Sequence, residues 1–257
     1  MKSIIIALTV SFMLYATFCI IMYATQRRQI YFPTAPSRSS QAESFLLPVT
    51  GAKLQIWSLH QECKPAIIYF GGNAEDVALN IAGFTHLLPT YAIYLINYRG
   101  YGGSTGKPTE SALCDDAVTI FDALADKHRD ISVIGRSLGS GVAVHLASLR
   151  PVKKLVLVTP FASLIGVAKA HLPFLPVSTL LKERYNSAAK TSEIKAQVLM
   201  IIAENDEIIP RKQSDMLLEA FAEKPCEVVI IPGAGHNTLD NFDLYHKTLK
   251  RFLDDTI

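Results

Sequence analysis

Ile131-Ser132-Val133-Ile134-Gly135-Arg136-Ser137-Leu138-Gly139-Ser140-Gly141-Val142-Ala143-Val144 places a G-x-S-x-G pattern between a short β-rich apolar run and a longer helical one. A sharp strand-to-helix turn holds the central serine in a strained backbone conformation, and side chains two residues to either side would clash there. The turn sets Ser137 Oγ at the start of a helix, where the helix dipole favours developing negative charge. The strand before, the helix after and the third glycine, Gly141, separate this pattern from a chance match. Ser137 is the candidate nucleophile.

Outward from this turn the chain alternates short β-rich runs with helical stretches. Strands are expected at 43–49, 53–59, 66–70, 92–97, 131–134, 155–159, 198–203 and 227–231. Runs such as Ala66-Ile67-Ile68-Tyr69-Phe70 are continuously apolar, as suits strands covered on both faces. Helices are expected at 76–88, 111–127, 138–149, 211–222 and 242–254. The alternation predicts an α/β domain with a mostly parallel eight-stranded sheet. Only Thr50-Gly51-Ala52 separates the first two strands, so they read as an antiparallel hairpin.

A neutral hydroxyl needs a base, and the base needs an orienting carboxylate. In this architecture both come from late loops at the C-terminal ends of strands. The run at 198–203 leads into Glu204-Asn205-Asp206-Glu207, and the run at 227–231 leads into Pro232-Gly233-Ala234-Gly235-His236. Asp206 is the expected acid, with Glu204 and Glu207 read as solvated loop charges. His236 is the expected base; His60, His86, His128, His145, His171 and His246 read as packed or solvated. Gly71-Gly72-Asn73-Ala74 follows the run at 66–70, and small residues there let main-chain N–H groups approach a carbonyl. The N–H of Leu138 with that of Asn73, or of Gly72, is the expected oxyanion site.

The segment Tyr98-Arg99-Gly100-Tyr101-Gly102-Gly103-Ser104-Thr105-Gly106-Lys107-Pro108 fails as a nucleotide loop. Tyr101 stands where the first glycine is needed, and Pro108 stands where Ser or Thr would follow the lysine. It reads as a structural turn before a capped helix starting at Glu110. No metal-ligand spacing and no dinucleotide fingerprint occurs, so neither metal nor cofactor is expected.

Half of the composition is apolar (49%), and residues 3–25 hold no charge at all. As a helix that run is about 35 Å long, enough for a hydrocarbon core of about 30 Å. It lacks a small-x-small cleavage site and meets Gln26-Arg27-Arg28, so it reads as an uncleaved signal-anchor in a membrane. Lys2 with the α-amine balances Arg27-Arg28, so flanking charge does not fix the orientation. Removing Lys2, Arg27 and Arg28 from the 25 basic residues leaves 22 against 23 acidic ones. A near-neutral domain with no basic stripe excludes nucleic acid as a partner. The four cysteines have unrelated spacings and form no disulfide scaffold.

Taken in order, Gly71-Gly72-Asn73-Ala74, Tyr98-Arg99-Gly100-Tyr101-Gly102, Gly106-Lys107-Pro108-Thr109-Glu110, Gly135-Arg136-Ser137-Leu138-Gly139, Asn205-Asp206-Glu207-Ile208-Ile209-Pro210 and Gly235-His236-Asn237 resemble the α/β-hydrolase superfamily. The likeness is to its serine-aminopeptidase-like branch, whose members often carry an N-terminal membrane anchor. The resemblance spans roughly residues 30 to 255 and implies the same Ser137–Asp206–His236 triad. Relatives often have His-Gly-Asn-Ala where this chain has Gly71-Gly72-Asn73-Ala74. The organisation expected is an anchor with its basic flank (1–28), a linker (29–42) and a catalytic domain (43–257) with a cap insertion at about 164–197. The resemblance implies hydrolysis of an ester or thioester, with a small-molecule or lipid-like substrate. The alternatives are an aminopeptidase-like amidase and a non-catalytic binding module on the same fold.

Overall fold

The run Ala66–Phe70 is buried along its whole length, and its side chains part to two sides. Ala66, Ile68 and Phe70 enter one core cluster, Ile67 and Tyr69 the other. That division is the two-residue period of an extended chain, and it marks a central strand covered on both faces. The computed structural model of the chain describes residues 1–221 and 224–255. Its eight strands are β1 (Glu43–Val49), β2 (Ala52–Leu59), β3 (Ala66–Phe70), β4 (Ala92–Ile96), β5 (Ile131–Arg136), β6 (Lys154–Val158), β7 (Gln197–Ala203) and β8 (Cys226–Ile231). They lie in one sheet in the order β1-β2-β4-β3-β5-β6-β7-β8. β2 runs antiparallel to β1 and β4, and the other neighbours are parallel. This is the α/β-hydrolase architecture expected from the sequence, with each strand within two residues of its expected place.

The helices are α1 (Lys2–Ile30), α2 (Ile81–Leu87), α3 (Glu110–Ala125), α4 (Leu138–Leu149), α5 (Leu164–His171), α6 (Val177–Leu180), α7 (Arg211–Ala220) and α8 (Asp243–Asp254). Residues of α3, α4 and α7 fill the core on one face of the sheet, and those of α2 and α8 fill the other. Ala222, the expected end of α7, lies outside the described residues. The helix expected over 76–88 is divided. A 3₁₀ turn, Val77–Asn80, precedes α2, with Asp76 Oδ1 accepting from the Ala78 N–H at 3.1 Å.

The insertion after β6 contains α5, α6 and a 3₁₀ stretch, Ala188–Glu193. The composition of residues 178–185 predicts a helical stretch in this insertion, but the helix stops at Leu180 for a tertiary reason. The Lys182 N–H donates to Gln26 Oε1 at 2.7 Å, and the Arg184 N–H donates to Glu110 Oε2 at 2.5 Å. Both amides are thereby lost to any continuing helix.

α1 is long and apolar enough to cross a membrane, by length and composition, and it is close to the N-terminus. Its C-terminal end is fastened to the insertion. Arg27 pairs with Glu183 at 2.7 Å, and the Gln26 side chain donates to the Leu180 carbonyl at 3.1 Å. The expected linker at 29–42 begins as part of the core. Tyr31 is 3% exposed, and its hydroxyl bonds Glu183 and Tyr185 at 3.0 and 2.8 Å. The Gly102 N–H donates to the Thr34 carbonyl at 3.0 Å, so the glycine-rich segment holds this strap in place. Gly102 has φ 52°, and a Cβ there would lie 2.6 Å from Asn97 Cγ, so the turn requires glycine twice over.

Candidate active site

β5 ends at Arg136, and Ser137 turns the chain into α4 with φ 50° and ψ −115°. A non-glycine residue held there stores about 1–3 kcal/mol, supplied by its surroundings. The surroundings are visible. The Ser137 N–H donates to the Val158 carbonyl at 2.8 Å, and its own carbonyl accepts from the Ser140 N–H and hydroxyl at 2.9 and 2.6 Å. The bend pushes Oγ out over the C-terminal edge of the sheet.

Asp206 follows β7 and His236 follows β8, each in the loop where it was expected. The structure brings the three side chains together. His236 Nε2 lies 2.9 Å from Ser137 Oγ, and Nδ1 lies 2.9 Å from both oxygens of Asp206. Asp206 Oδ1 also accepts the N–H groups of Ile208 and Ile209 at 2.9 and 2.7 Å, which fix the carboxylate in place. With the His236 and Asp206 side chains only 5% and 6% exposed, the pair is shielded from water. An acceptor-only carboxylate on Nδ1 requires the proton there, leaving Nε2 as the acceptor for the serine hydroxyl.

Glu204 and Glu207, expected as solvated charges, brace the histidine loop. Glu204 Oε2 accepts the Gly233 N–H at 2.7 Å, and Glu207 Oε2 accepts the His236 N–H at 3.1 Å. Arg136, the variable residue of the elbow, donates to the His236 carbonyl at 3.4 Å.

The loop after β3 lies beside Ser137. A side chain at Gly72 would come within 3.6 Å of Ser137 Cβ. The Gly72 N–H is already engaged by Glu75 Oε2 at 2.5 Å, whereas the N–H groups of Asn73 and Leu138 make no hydrogen bond among the described residues. Those two amides are therefore the ones available to a developing oxyanion. Asn73 is held by its side chain: Oδ1 accepts from the Tyr101 hydroxyl at 2.7 Å and from the N–H groups of Phe32 and Ala74 at 3.0 and 3.1 Å. Burial pushes the Tyr101 phenol up to about 12, so it stays a donor.

Sequence reasoning missed Glu75. Its Oε1 accepts from the Tyr69 hydroxyl and from Asn80 Nδ2, both at 2.6 Å, while Oε2 holds Gly72. Burial first, and the Glu75 carboxylate next, hold the Tyr69 phenol well above its ordinary value, which keeps it protonated as a donor. Glu75 thus braces the turn that carries Gly72 and Asn73. Substituting Glu75 with Ala orphans three donors. The expected cost is about 1–2 kcal/mol in urea unfolding, with a fall in kcat of about tenfold from the loosened turn. An E75A protein with wild-type kcat and stability overturns this role.

Residues 65–176 match the family described as alpha/beta hydrolase fold. An uncharacterized protein of Mycobacterium tuberculosis is 36% identical over 253 residues, covering 91% of this chain and 89% of that one. Alpha/beta hydrolase domain-containing protein WAV2 of Arabidopsis thaliana is 27% identical over 275 residues, with the same coverage of 91% and 89%. Among solved structures, the esterase Pf2001 of Pyrococcus furiosus superposes with a TM-score of 0.73 at 19% identity, over 87% of this chain and 98% of that one.

Proposed function

The chain belongs to the α/β-hydrolase family, and on that footing we propose that it is a membrane-anchored serine hydrolase cleaving esters or thioesters of lipid-like acyl substrates. The observation that carries the reading is the unbroken chain of 2.9 Å contacts from Ser137 Oγ through His236 to Asp206, on a serine strained to φ 50°. Such a chain has a specific use. His236 Nε2 removes the hydroxyl proton as Oγ attacks the carbonyl, and Asp206 stabilises the imidazolium that forms. The carbonyl oxygen, now negative, takes the N–H of Leu138 at the start of α4 and that of Asn73 in the loop after β3. The proton on Nε2 passes to the departing alcohol or thiol and leaves an acyl group on Ser137. Water, deprotonated by the same nitrogen, then releases the acid and restores the serine.

Placement at a membrane follows from α1, whose apolar run ends in Arg27 and Arg28 next to the catalytic domain. A site tethered there meets acylated lipids or proteins at high local concentration. The test is covalent labelling of the full chain in detergent by a fluorophosphonate probe, alongside turnover of acyl esters of graded chain length and of aminoacyl amides. Labelling of the wild type, none of Ser137→Ala, and preference for longer acyl esters are expected. Equal labelling of the Ser137→Ala protein, or preference for the amides, overturns the proposal.

A further inference from the structure

α1 and the cap insertion touch well inside the apolar run. The Tyr15 hydroxyl donates to the Phe174 carbonyl at 2.8 Å. About two and three turns beyond, Met22 and Gln26 lie against Leu172, Leu175 and Leu180. If α1 crosses a bilayer, as proposed above, it must traverse about 30 Å of hydrocarbon. From Lys2, the charge bounding the run, to Tyr15 the helix axis advances only about 20 Å. At least about 10 Å of the crossing is therefore made by the stretch that the cap lies against, and tilting the helix lengthens that stretch. We infer that the tip of the cap, residues 172–181, is immersed in the hydrocarbon of the leaflet adjoining the catalytic domain, packed beside the anchor. This rests on the reading of α1 as a membrane anchor.

The chemistry of the tip fits that surrounding. Residues 172–181 carry no charged side chain, and Phe174 is 61% exposed. Backbone in hydrocarbon must find its partners within the protein. Pro173 and Pro176 have no N–H to satisfy. The N–H groups of Leu175, Val177, Thr179, Leu180 and Leu181 all donate to carbonyls of the tip. The Phe174 carbonyl, at the apex, is the one Tyr15 satisfies.

Cations mark the upper boundary. Lys182 Nζ sits 4.1 Å from the centroid of the Tyr23 ring, and Arg27 pairs with Glu183. Tyr23 and Arg27 lie about 12 and 18 Å along α1 from Tyr15, bracketing the roughly 15 Å of one leaflet's hydrocarbon. These side chains fall where phospholipid headgroups begin. At the base of the tip, His171 Nε2 donates to the Ile208 carbonyl at 2.8 Å, two residues beyond Asp206. An acyl chain leaving the same leaflet would pass along the tip toward the loop that carries the acid.

The test is depth-dependent quenching in the full-length chain, reconstituted in phosphatidylcholine vesicles with or without bromine at mid-chain. The single native tryptophan, Trp57, is buried with its indole N–H unpaired, so a W57F background loses no hydrogen bond. In that background F174W reports the tip, F12W the anchor and L79W a site exposed outside the cap. Blue-shifted, bromine-quenched emission from F12W and F174W, with none from L79W, is expected. Quenching of F12W without F174W overturns the immersed tip and leaves the anchor intact. A blue-shifted but unquenched F174W means the tip is covered by protein, such as a second copy of the chain, and overturns it too. If neither F12W nor F174W is quenched, the anchor reading and the inference fail together.

Discussion

Replacing Asp206 with Asn is expected to lower kcat/KM for a short-chain ester by about 10⁴-fold, with little change in the thermal midpoint. The magnitude follows from which hydrogen bonds an amide can keep. The N–H groups of Ile208 and Ile209 both point at Oδ1, so the amide oxygen takes that position and its NH₂ group turns to His236. An NH₂ donor facing Nδ1 requires that nitrogen to be unprotonated, and the imidazole proton moves to Nε2. Nε2 then donates toward Ser137 Oγ where it should accept, and in the proposed mechanism the serine loses its base. The size and packing of the residue barely change, so the protein folds. A loss smaller than about tenfold would assign the orienting role elsewhere. Neither Glu204 nor Glu207 is placed for it, since their carboxylates bond main-chain amides of the histidine loop.

Gly139→Ala is the second large effect, and it acts through the backbone. The first turn of α4 passes so close to the end of β3 that a Cβ at 139 overlaps the Phe70 carbonyl oxygen and sits 2.6 Å from that of Gly71. Neither obstacle is a flexible side chain that could swing aside, and the Gly71 carbonyl is fixed further by the Tyr98 hydroxyl at 2.8 Å. Overpacking of this kind costs about 3 kcal/mol. The strain has one exit, displacement of the loop that carries Asn73. An oxyanion donor moved out of reach costs about 10²–10³ in kcat. Chemical unfolding and steady-state kinetics on one preparation should show both losses together. A G139A protein with normal kcat would mean that the Asn73 N–H is not an oxyanion donor.

What the sequence discloses, and what it hides, divides along the range of the interactions. Buried strands announce themselves because both faces must be apolar, as in Ala66–Phe70 and Gln197–Ala203, and all eight lie where the runs of Ile, Val and Leu put them. Ser137, Asp206 and His236 were legible because each sits directly after a strand whose end could be read. Glu75 was not, because its value lies in Tyr69, Gly72 and Asn80 converging on one carboxylate, and no local pattern encodes that convergence. The early end of α6 was hidden for the same reason. Residues 178–185 keep helical composition, but Gln26 and Glu110, both more than 70 positions away in sequence, claim the amides a continuing helix would need. Tyr31-Phe32 looked like the start of a tether; only the fold reveals that Tyr31 enters the core and that the Phe32 N–H reaches Asn73.

That last contact decides where the chain can be severed. A water-soluble catalytic fragment is most simply sought by deleting the apolar run, and a cut anywhere before Gln26 leaves the docked strap whole. A cut after Phe32 removes one of the three donors holding the Asn73 carboxamide and opens the space that Tyr31 fills beside Glu183 and Tyr185. Two truncations a few residues apart should therefore differ sharply in yield and turnover. A protease that trims the strap in the cell would release the domain and disable it in one step.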